Sequence, residues 1–190
     1  LTDHPIHGLY VIVDPASCRG RDPLTVARAA IEGGAPIVQW RDKLRDKGDQ
    51  LTDARAIAGL CRERGVAFIV NDHADLALAA GADGVHLGQH DLPIDVVRPI
   101  VGASMIVGVS TNNAAEARAA EAAGADYVAI GSIFPTATKD VTRPASGGIS
   151  AQNIAAVIDA GADAAAVISA VCSADDPRTA AAALASAFES

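Results

Sequence analysis

The sequence predicts an α/β protein of the (β/α)8 TIM-barrel class, and three observations carry that prediction. Half of the 190 residues are hydrophobic but only 3% are aromatic, so the core must be built from Ala, Val, Ile and Leu, as where helices pack on a parallel sheet. Five stretches, "EGGAPIVQW", "ERGVAFIV", "AAGADGVHL", "AAGADYVAI" and "DAGADAAAVIS", repeat one pattern of a helical end, a Gly and a short apolar run. Regular alternation with short loops then favours a barrel over a doubly wound open sheet, and the length fits a single domain over residues 1–190.

The repeat justifies the elements in turn. Gly33, Gly65, Gly81, Gly124 and Gly161 stand where a helix must stop, in the left-handed conformation that Gly adopts without strain, and a buried strand follows each. Strands are expected at 8–13, 37–40, 67–70, 84–87, 105–109, 127–130 and 164–168. Helices are expected at 23–32, 50–64, 74–80, 94–100, 113–123, 151–160 and 176–188. That makes seven strands, one short of a complete barrel.

Composition narrows the partners. A formal net charge of −8 and a pI near 4.9 argue against nonspecific binding to nucleic acid or an anionic membrane surface. An anionic ligand must be held by a local cluster of donors. Cys18, Cys61 and Cys172 are widely spaced, with no CxxC and no Cys/His metal spacing, which reads as reduced structural thiols in the cytoplasm. The start "LTDHPIHGLYVIVD" lacks the layout of a signal peptide, and without an initiator Met the N-terminus is expected to have been trimmed. No run is apolar for long enough to span a bilayer, and a homo-oligomer is compatible with everything seen.

In such a barrel the chemistry lies at the C-terminal ends of the strands, and polar groups gather there. After the second strand comes "QWRDK", with Gln39, Arg41 and Lys43 at alternate positions and so on one side of an extended chain. Asn71 and Asp72 follow the third strand; His86, Gln89 and Asp91 come with the fourth; Ser110 follows the fifth; and "GSIFPTATKD" after the sixth supplies Thr136, Thr138 and Lys139. Two carboxylates on neighbouring strand ends, Asp72 and Asp91, can hold Mg²⁺, which keeps waters and takes other ligands from a substrate phosphate. Arg41 can grip phosphate bidentately, Lys43 and Lys139 add point charges, and the Thr hydroxyls add hydrogen bonds. Taken singly, Asp72 reads as a helix cap, His86 as a core histidine and "RDKLRDKGD" as a solvated loop. Their joint placement on consecutive strand ends points instead to a pyrophosphate site.

These motifs resemble the thiamine-phosphate synthase family. "QWRDK" is similar to its Q-x-R-x-K motif, "VNDHADLALAAGADGVHLGQHDL" to its N-D and G-x-H-[IL]-G-Q-x-D segments, and "GSIFPTATK" to its G-x-[IV]-[FY]-P-T-x-T-K loop. "GGI" and "VISAV" resemble its last phosphate-binding segments. The resemblance implies a transferase that couples hydroxymethylpyrimidine diphosphate with a thiazole phosphate, giving thiamine phosphate and pyrophosphate. It implies Asp72 and Asp91 as Mg²⁺ ligands and Arg41, Lys43, Asn71 and Lys139 as the pyrophosphate grip. Gln39 and Ser110 would orient the pyrimidine, with His86 in contact with substrate, while Thr136, Thr138, Gly148, Ile168 and Ser169 would hold the thiazole phosphate. No protein nucleophile is needed, because the attacking nitrogen belongs to the substrate.

One feature departs from the family. About twenty residues, a helix and the strand before "GGI", are lacking where Ser146 runs directly into Gly147. Either the segment is deleted, opening the barrel on the thiazole-phosphate side, or it is part of the protein and absent from this chain. The second is the expectation, and it predicts a break between Ala145 and Gly148 and an active site not fully filled. Two other functions compete. A thiazole tautomerase-like paralogue would use an acid/base pair and need no metal pair, against which Asp72, Asp91 and "TATK" argue; a non-catalytic phosphate-binding barrel gains weight only if the segment is truly absent.

Overall fold

The structure, a computed structural model, describes residues 6–131, 133–134 and 148–189. Strands and helices alternate along it: β1 Gly8–Val13, α1 Pro23–Glu32, β2 Ile37–Trp40, α2 Lys47–Arg64, β3 Ala67–Asn71, α3 Ala74–Ala80 and β4 Gly84–Leu87. Then come α4 Ile94–Val101, β5 Ile106–Thr111, α5 Ala114–Ala122, β6 Tyr127–Ile130, α6 Ile154–Asp159, β7 Ala164–Val167, α7 Ser169–Cys172 and α8 Pro177–Ala185. Every strand pair is parallel, in the order β6-β5-β4-β3-β2-β1-β7. The seven strands curl into a barrel that is incomplete among the described residues, with the seam between β6 and β7. The expected break between Ala145 and Gly148 lies outside the described residues.

All seven expected strands are present, with bounds within two residues of those expected: β3 extends to Asn71, β5 runs from Ile106 to Thr111 and so includes Ser110, and β7 ends at Val167. The helices differ at their ends. Helix α2 starts at Lys47, before the expected Gln50: Asp46 is its N-cap without a side-chain cap bond, its carbonyl accepts from Asp49 N at 3.0 Å and Gln50 N at 3.2 Å, and the chain runs helical through Gly48. Helix α6 is shorter than expected, starting at Ile154, since residues 151–153 form turns in which Asn153 accepts from Ser150 N at 2.8 Å. Helix α7 was not foreseen. Of the five punctuating glycines, Gly33 is not left-handed (φ −83°), and Gly34 takes that conformation at φ +93°. Gly33 answers to packing instead: a Cβ there would lie 2.5 Å from Arg178 O and 2.6 Å from Ala181 Cβ on α8.

The period-two alternation of the strands sorts side chains into two layers. Leu9, Val11, Val38, Trp40, Phe68, Val70, Val85, Val107 and Ala165 point outward and form the large core beneath the helices. Tyr10, Ile12, Ile37, Ala67, Ile69 and Ile168 fill the lumen. The recurrent "GAD" also acquires a reason. Asp83, just before β4, accepts from Phe68 N of β3 at 2.8 Å, and Asp126, just before β6, accepts from Val107 N of β5 at 2.7 Å. Each carboxylate thereby braces the start of the neighbouring strand.

Candidate active site

The inward phase of the strands sends polar side chains to one end of the lumen. Gln39 is inward on β2, and Arg41 continues that phase one step beyond it. On the next strands the register sets Asn71 opposite His86, His86 opposite Gly108, and Gly108 opposite Tyr127, one row across four strands. Ser110 lies one inward position further along β5. Tyr10, Gln39, Arg41, Asn71, His86, Ser110 and Tyr127 all line a cavity of about 1120 Å³.

Arg41 is fixed by a residue that belongs to none of the sequence motifs. Asp14, at the end of β1 and 4% exposed, forms an ion pair with Arg41 Nη1 and also accepts from Ala16 N at 3.0 Å. Between Arg41 and Lys43, Asp42 turns away and anchors the loop, accepting from the backbone of Leu44 at 2.8 Å and of Arg45 at 3.2 Å and pairing with the Arg45 side chain. Arg45 in turn lies over the Trp40 ring, 5.5 Å from its centre, and Trp40 donates to Gln50 Oε1 at 3.0 Å. The alternation in "QWRDK" thus places Arg41 and Lys43 toward the site while Trp40 and Asp42 hold the strand end in place.

Lys43 pairs with Asp72, which adopts a left-handed backbone (φ +65°) unusual for a non-glycine residue. Asp72 N donates to His86 O at 2.7 Å, so this backbone is held by the adjoining strand. Asp72 is not a helix cap: His73 is the N-cap of α3, and it makes no side-chain cap bond. Asp91 accepts from Gly88 N at 2.6 Å and meets Asp72. Burial raises the Asp91 carboxyl to about 6, Gly88 N opposes this, and the Asp72 charge adds to the rise. Burial also presses on Asp72, but bonds from Lys43 and Asp91 outweigh it and hold that carboxyl below its usual value. Two carboxylates in contact call for a shared proton or a cation. Among the described residues no cluster of three or more His, Cys, Asp and Glu could hold a metal. A two-carboxylate site fits Mg²⁺, which leaves its other positions to water and phosphate.

Lys43, Asp72 and Asp91 are not part of the cavity lining, and the site adjoins them through Asn71. Gly148 (φ +73°) accepts from Asn153 Nδ2 at 2.7 Å; Ile168 is buried and its carbonyl receives Cys172 N at 2.8 Å; Ser169 opens α7. None of these three lines the cavity. Thr136, Thr138 and Lys139 lie outside the described residues. Gln89 Nε2 donates to the Ser110 carbonyl, tying the β4 loop to β5.

A family model described as thiamine monophosphate synthase matches residues 9–146. The chain belongs to that family. Its relatives include thiamine-phosphate synthases from Chlorobium limicola, 49% identical over 85% of this chain and 86% of that one, and from Laribacter hongkongensis, 42% identical over 90% of each. The solved thiamine phosphate pyrophosphorylase of Pyrococcus furiosus superposes with a TM-score of 0.87 at 34% identity, over 98% of this chain and 97% of that one. A 3-hexulose-6-phosphate synthase, at 20% identity and a TM-score of 0.68, shares the fold. As a thiamine monophosphate synthase family member the chain is an enzyme of the transferase class.

Four residues of the candidate site do not stand out in the sequence: Tyr10, Asp14, Gly108 and Tyr127. The only two tyrosines of the chain both fall at inward strand positions, and that phase was a usable signal. Asp14 directly follows β1, where a single carboxylate stands without the neighbouring polar residues that mark the ends of the second to sixth strands.

Proposed function

We propose that the chain couples hydroxymethylpyrimidine diphosphate with hydroxyethylthiazole phosphate to give thiamine phosphate and pyrophosphate by dissociative substitution. The observation that carries this reading is the meeting of Arg41, Lys43, Asn71, Asp72 and Asp91 at three consecutive strand ends, beside a lumen lined by Gln39, His86 and Ser110. Arg41, preset by Asp14, grips the diphosphate with two parallel donors, and Lys43, Asn71 and Lys139 complete the grip. Asp72 and Asp91 would hold Mg²⁺, which when bound neutralises charge building on the departing pyrophosphate.

The bond between the pyrimidine methylene carbon and the diphosphate oxygen breaks, its electron pair leaving with pyrophosphate. The thiazole nitrogen lone pair then forms the new C–N bond. No proton is lost, so no general base is required, and the protein contributes orientation and fixed positive charge. Gln39, His86 and Ser110 orient the pyrimidine. Thr136, Thr138, Gly148, Ile168 and Ser169 hold the thiazole phosphate. Three unpaired, buried thiols support a reducing compartment, the cytoplasm. No described helix is long and apolar enough to cross a membrane, and the partners are the two small substrates.

The test is product formation from the two purified substrates, with and without Mg²⁺. Thiamine phosphate appearing only with both substrates and the cation is the expected result. Turnover undiminished by a chelator would overturn the metal-assisted reading.

A further inference from the structure

Five side chains on five strands form one unbroken chain of hydrogen bonds through the lumen. Gln39 Nε2 donates to the Tyr10 hydroxyl at 2.7 Å, and the Tyr10 and Tyr127 hydroxyls meet at 3.0 Å. The Tyr127 hydroxyl lies 2.9 Å from His86 Nδ1, and His86 Nε2 lies 2.8 Å from Ser110 Oγ. Gly108 makes the path possible. It stands between His86 and Tyr127 in the strand register, and a Cβ there would sit 2.0 Å from Tyr127 Cζ and 2.4 Å from its hydroxyl oxygen. The Tyr127 ring therefore lies across the bare backbone of β5 to reach the imidazole, with ring centres 5.5 Å apart and planes 29° from parallel.

Proton counting gives this chain a direction. Burial raises both tyrosines above the ordinary phenol value, so each keeps its one hydroxyl proton. Tyr10 receives the Gln39 amide, and its own proton goes to its remaining partner, Tyr127. Tyr127, already accepting, passes its proton toward His86 Nδ1. Nδ1 is then an acceptor, the imidazole proton lies on Nε2, and Ser110 Oγ receives it. Ser110 has one proton left to give.

We propose that Tyr10 and Tyr127 are positioning residues that hold His86 in its Nε2–H tautomer and thereby commit the Ser110 hydroxyl to donate to a hydrogen-bond acceptor on the pyrimidine ring. Rotating the Gln39 amide by half a turn would reverse every donor in the chain and leave Ser110 able only to accept. The network therefore discriminates between a ring nitrogen and a ring N–H presented at the same place. A site that commits a buried donor in this way rejects analogues that cannot accept from it. The ligand class rests on the proposed coupling reaction, whereas the tautomer is a property of the free protein.

The experiment is ¹⁵N NMR of the imidazoles in ligand-free protein, with the His86 signals identified by their loss in His86→Asn. An unprotonated Nδ1 and a protonated Nε2 are expected in the wild type. Tyr10→Phe, which does not touch His86, should shift His86 toward a mixture of tautomers, as should Tyr127→Phe. Both variants should raise KM for the pyrimidine diphosphate about tenfold and leave KM for the thiazole phosphate unchanged. A merely structural role for Tyr10 would not move the His86 tautomer. An Nδ1–H tautomer in the wild type, or an unaltered tautomer in both variants, overturns the proposal. A protein that shows the expected tautomers yet fails to turn over the pyrimidine diphosphate would instead count against the proposed reaction.

Discussion

The hydroxyls of Tyr10 and Tyr127 meet at 3.0 Å although β1 and β6 stand five places apart in the sheet. Only a sheet rolled on itself brings those two strands face to face, so this one contact reports both the curl of the barrel and the continuity of the polar path across its lumen. Tyr10 also accepts from Gln39, and Tyr127 also reaches His86. The same two side chains that fill the lumen therefore connect Gln39 on β2 with His86 on β4.

Asp72→Ala and Asp91→Ala should each lower turnover ~100-fold or more at limiting Mg²⁺, because a cation held by two carboxylates cannot spare one of them. Titrating Mg²⁺ against initial rate would show it: the loss should shrink as the cation is raised. Equal rates in wild type and both variants at limiting Mg²⁺ would remove these residues from the metal site.

Asp14→Asn should cost about 3 kcal/mol of stability, since it leaves the Arg41 guanidinium without its buried counter-charge. It should also raise KM for the diphosphate substrate by releasing the group that grips it. Arg41→Lys should impair activity too, because an ammonium does not reproduce a planar two-donor contact. Denaturant melts combined with steady-state kinetics separate the two effects; activity equal to wild type in Arg41→Lys would mark Arg41 as a solvated loop residue.

Gly108→Ala should destabilise the protein by about 1–3 kcal/mol through collision with Tyr127. Trimming the tyrosine should relieve it. In a double-mutant cycle, Gly108→Ala should cost much less in a Tyr127→Ala background than in wild type. Additive costs would show that the Tyr127 ring does not depend on the bare backbone at 108.

Asp42→Asn should cost about 2 kcal/mol near neutral pH through weakened bonds to Leu44, Arg45 and the guanidinium. Burial opposes the Asp42 charge, but those donors outweigh it and hold the carboxyl below its usual value. A depressed carboxyl contributes stability that is present above the unfolded value, near 3.9, and lost as pH falls through the folded value. The gap between wild type and variant should therefore narrow on acidification below about pH 4. Urea melts across pH 2.5 to 7 would show it, and a gap that does not change with pH would contradict the assignment.

The strands after β1 were legible as short apolar runs that follow helix stops, and period-two phase put Gln39, Arg41 and Lys43 on one side of the chain. Legible too were the carboxylates Asp72 and Asp91, which carry a charge where burial is costly. What escaped was whatever depends on contacts between distant strands. Nothing local marks Gly108 as the slot for a ring on β6, and the partnership of Asp14 with Arg41 joins positions 27 residues apart. Helix ends escaped for another reason: Gly48 lowers propensity inside α2, yet neighbouring turns carry the helix through it.

The order of the strands also fixes a history for the chain. From β1 to β6 each strand pairs with its successor in sequence, so those rungs can form in turn as the polypeptide leaves the ribosome. The rung between β1 and β7 is different: Gly8 waits for Ala164, and Leu9 for Ala165. Closing so long a loop costs only slightly more than closing a moderate one, since the penalty grows with the logarithm of length. It must nevertheless come late. The bonds that secure that joint, from Arg21 to the carbonyls of Cys172 and Ala174 and from Cys172 Sγ to Ile12 O, cannot form until then. Of the described strands, β1 comes earliest in sequence yet is enclosed on both sides only after β7 has been made, and until then one of its edges stays open to solvent and to rescue or misadventure.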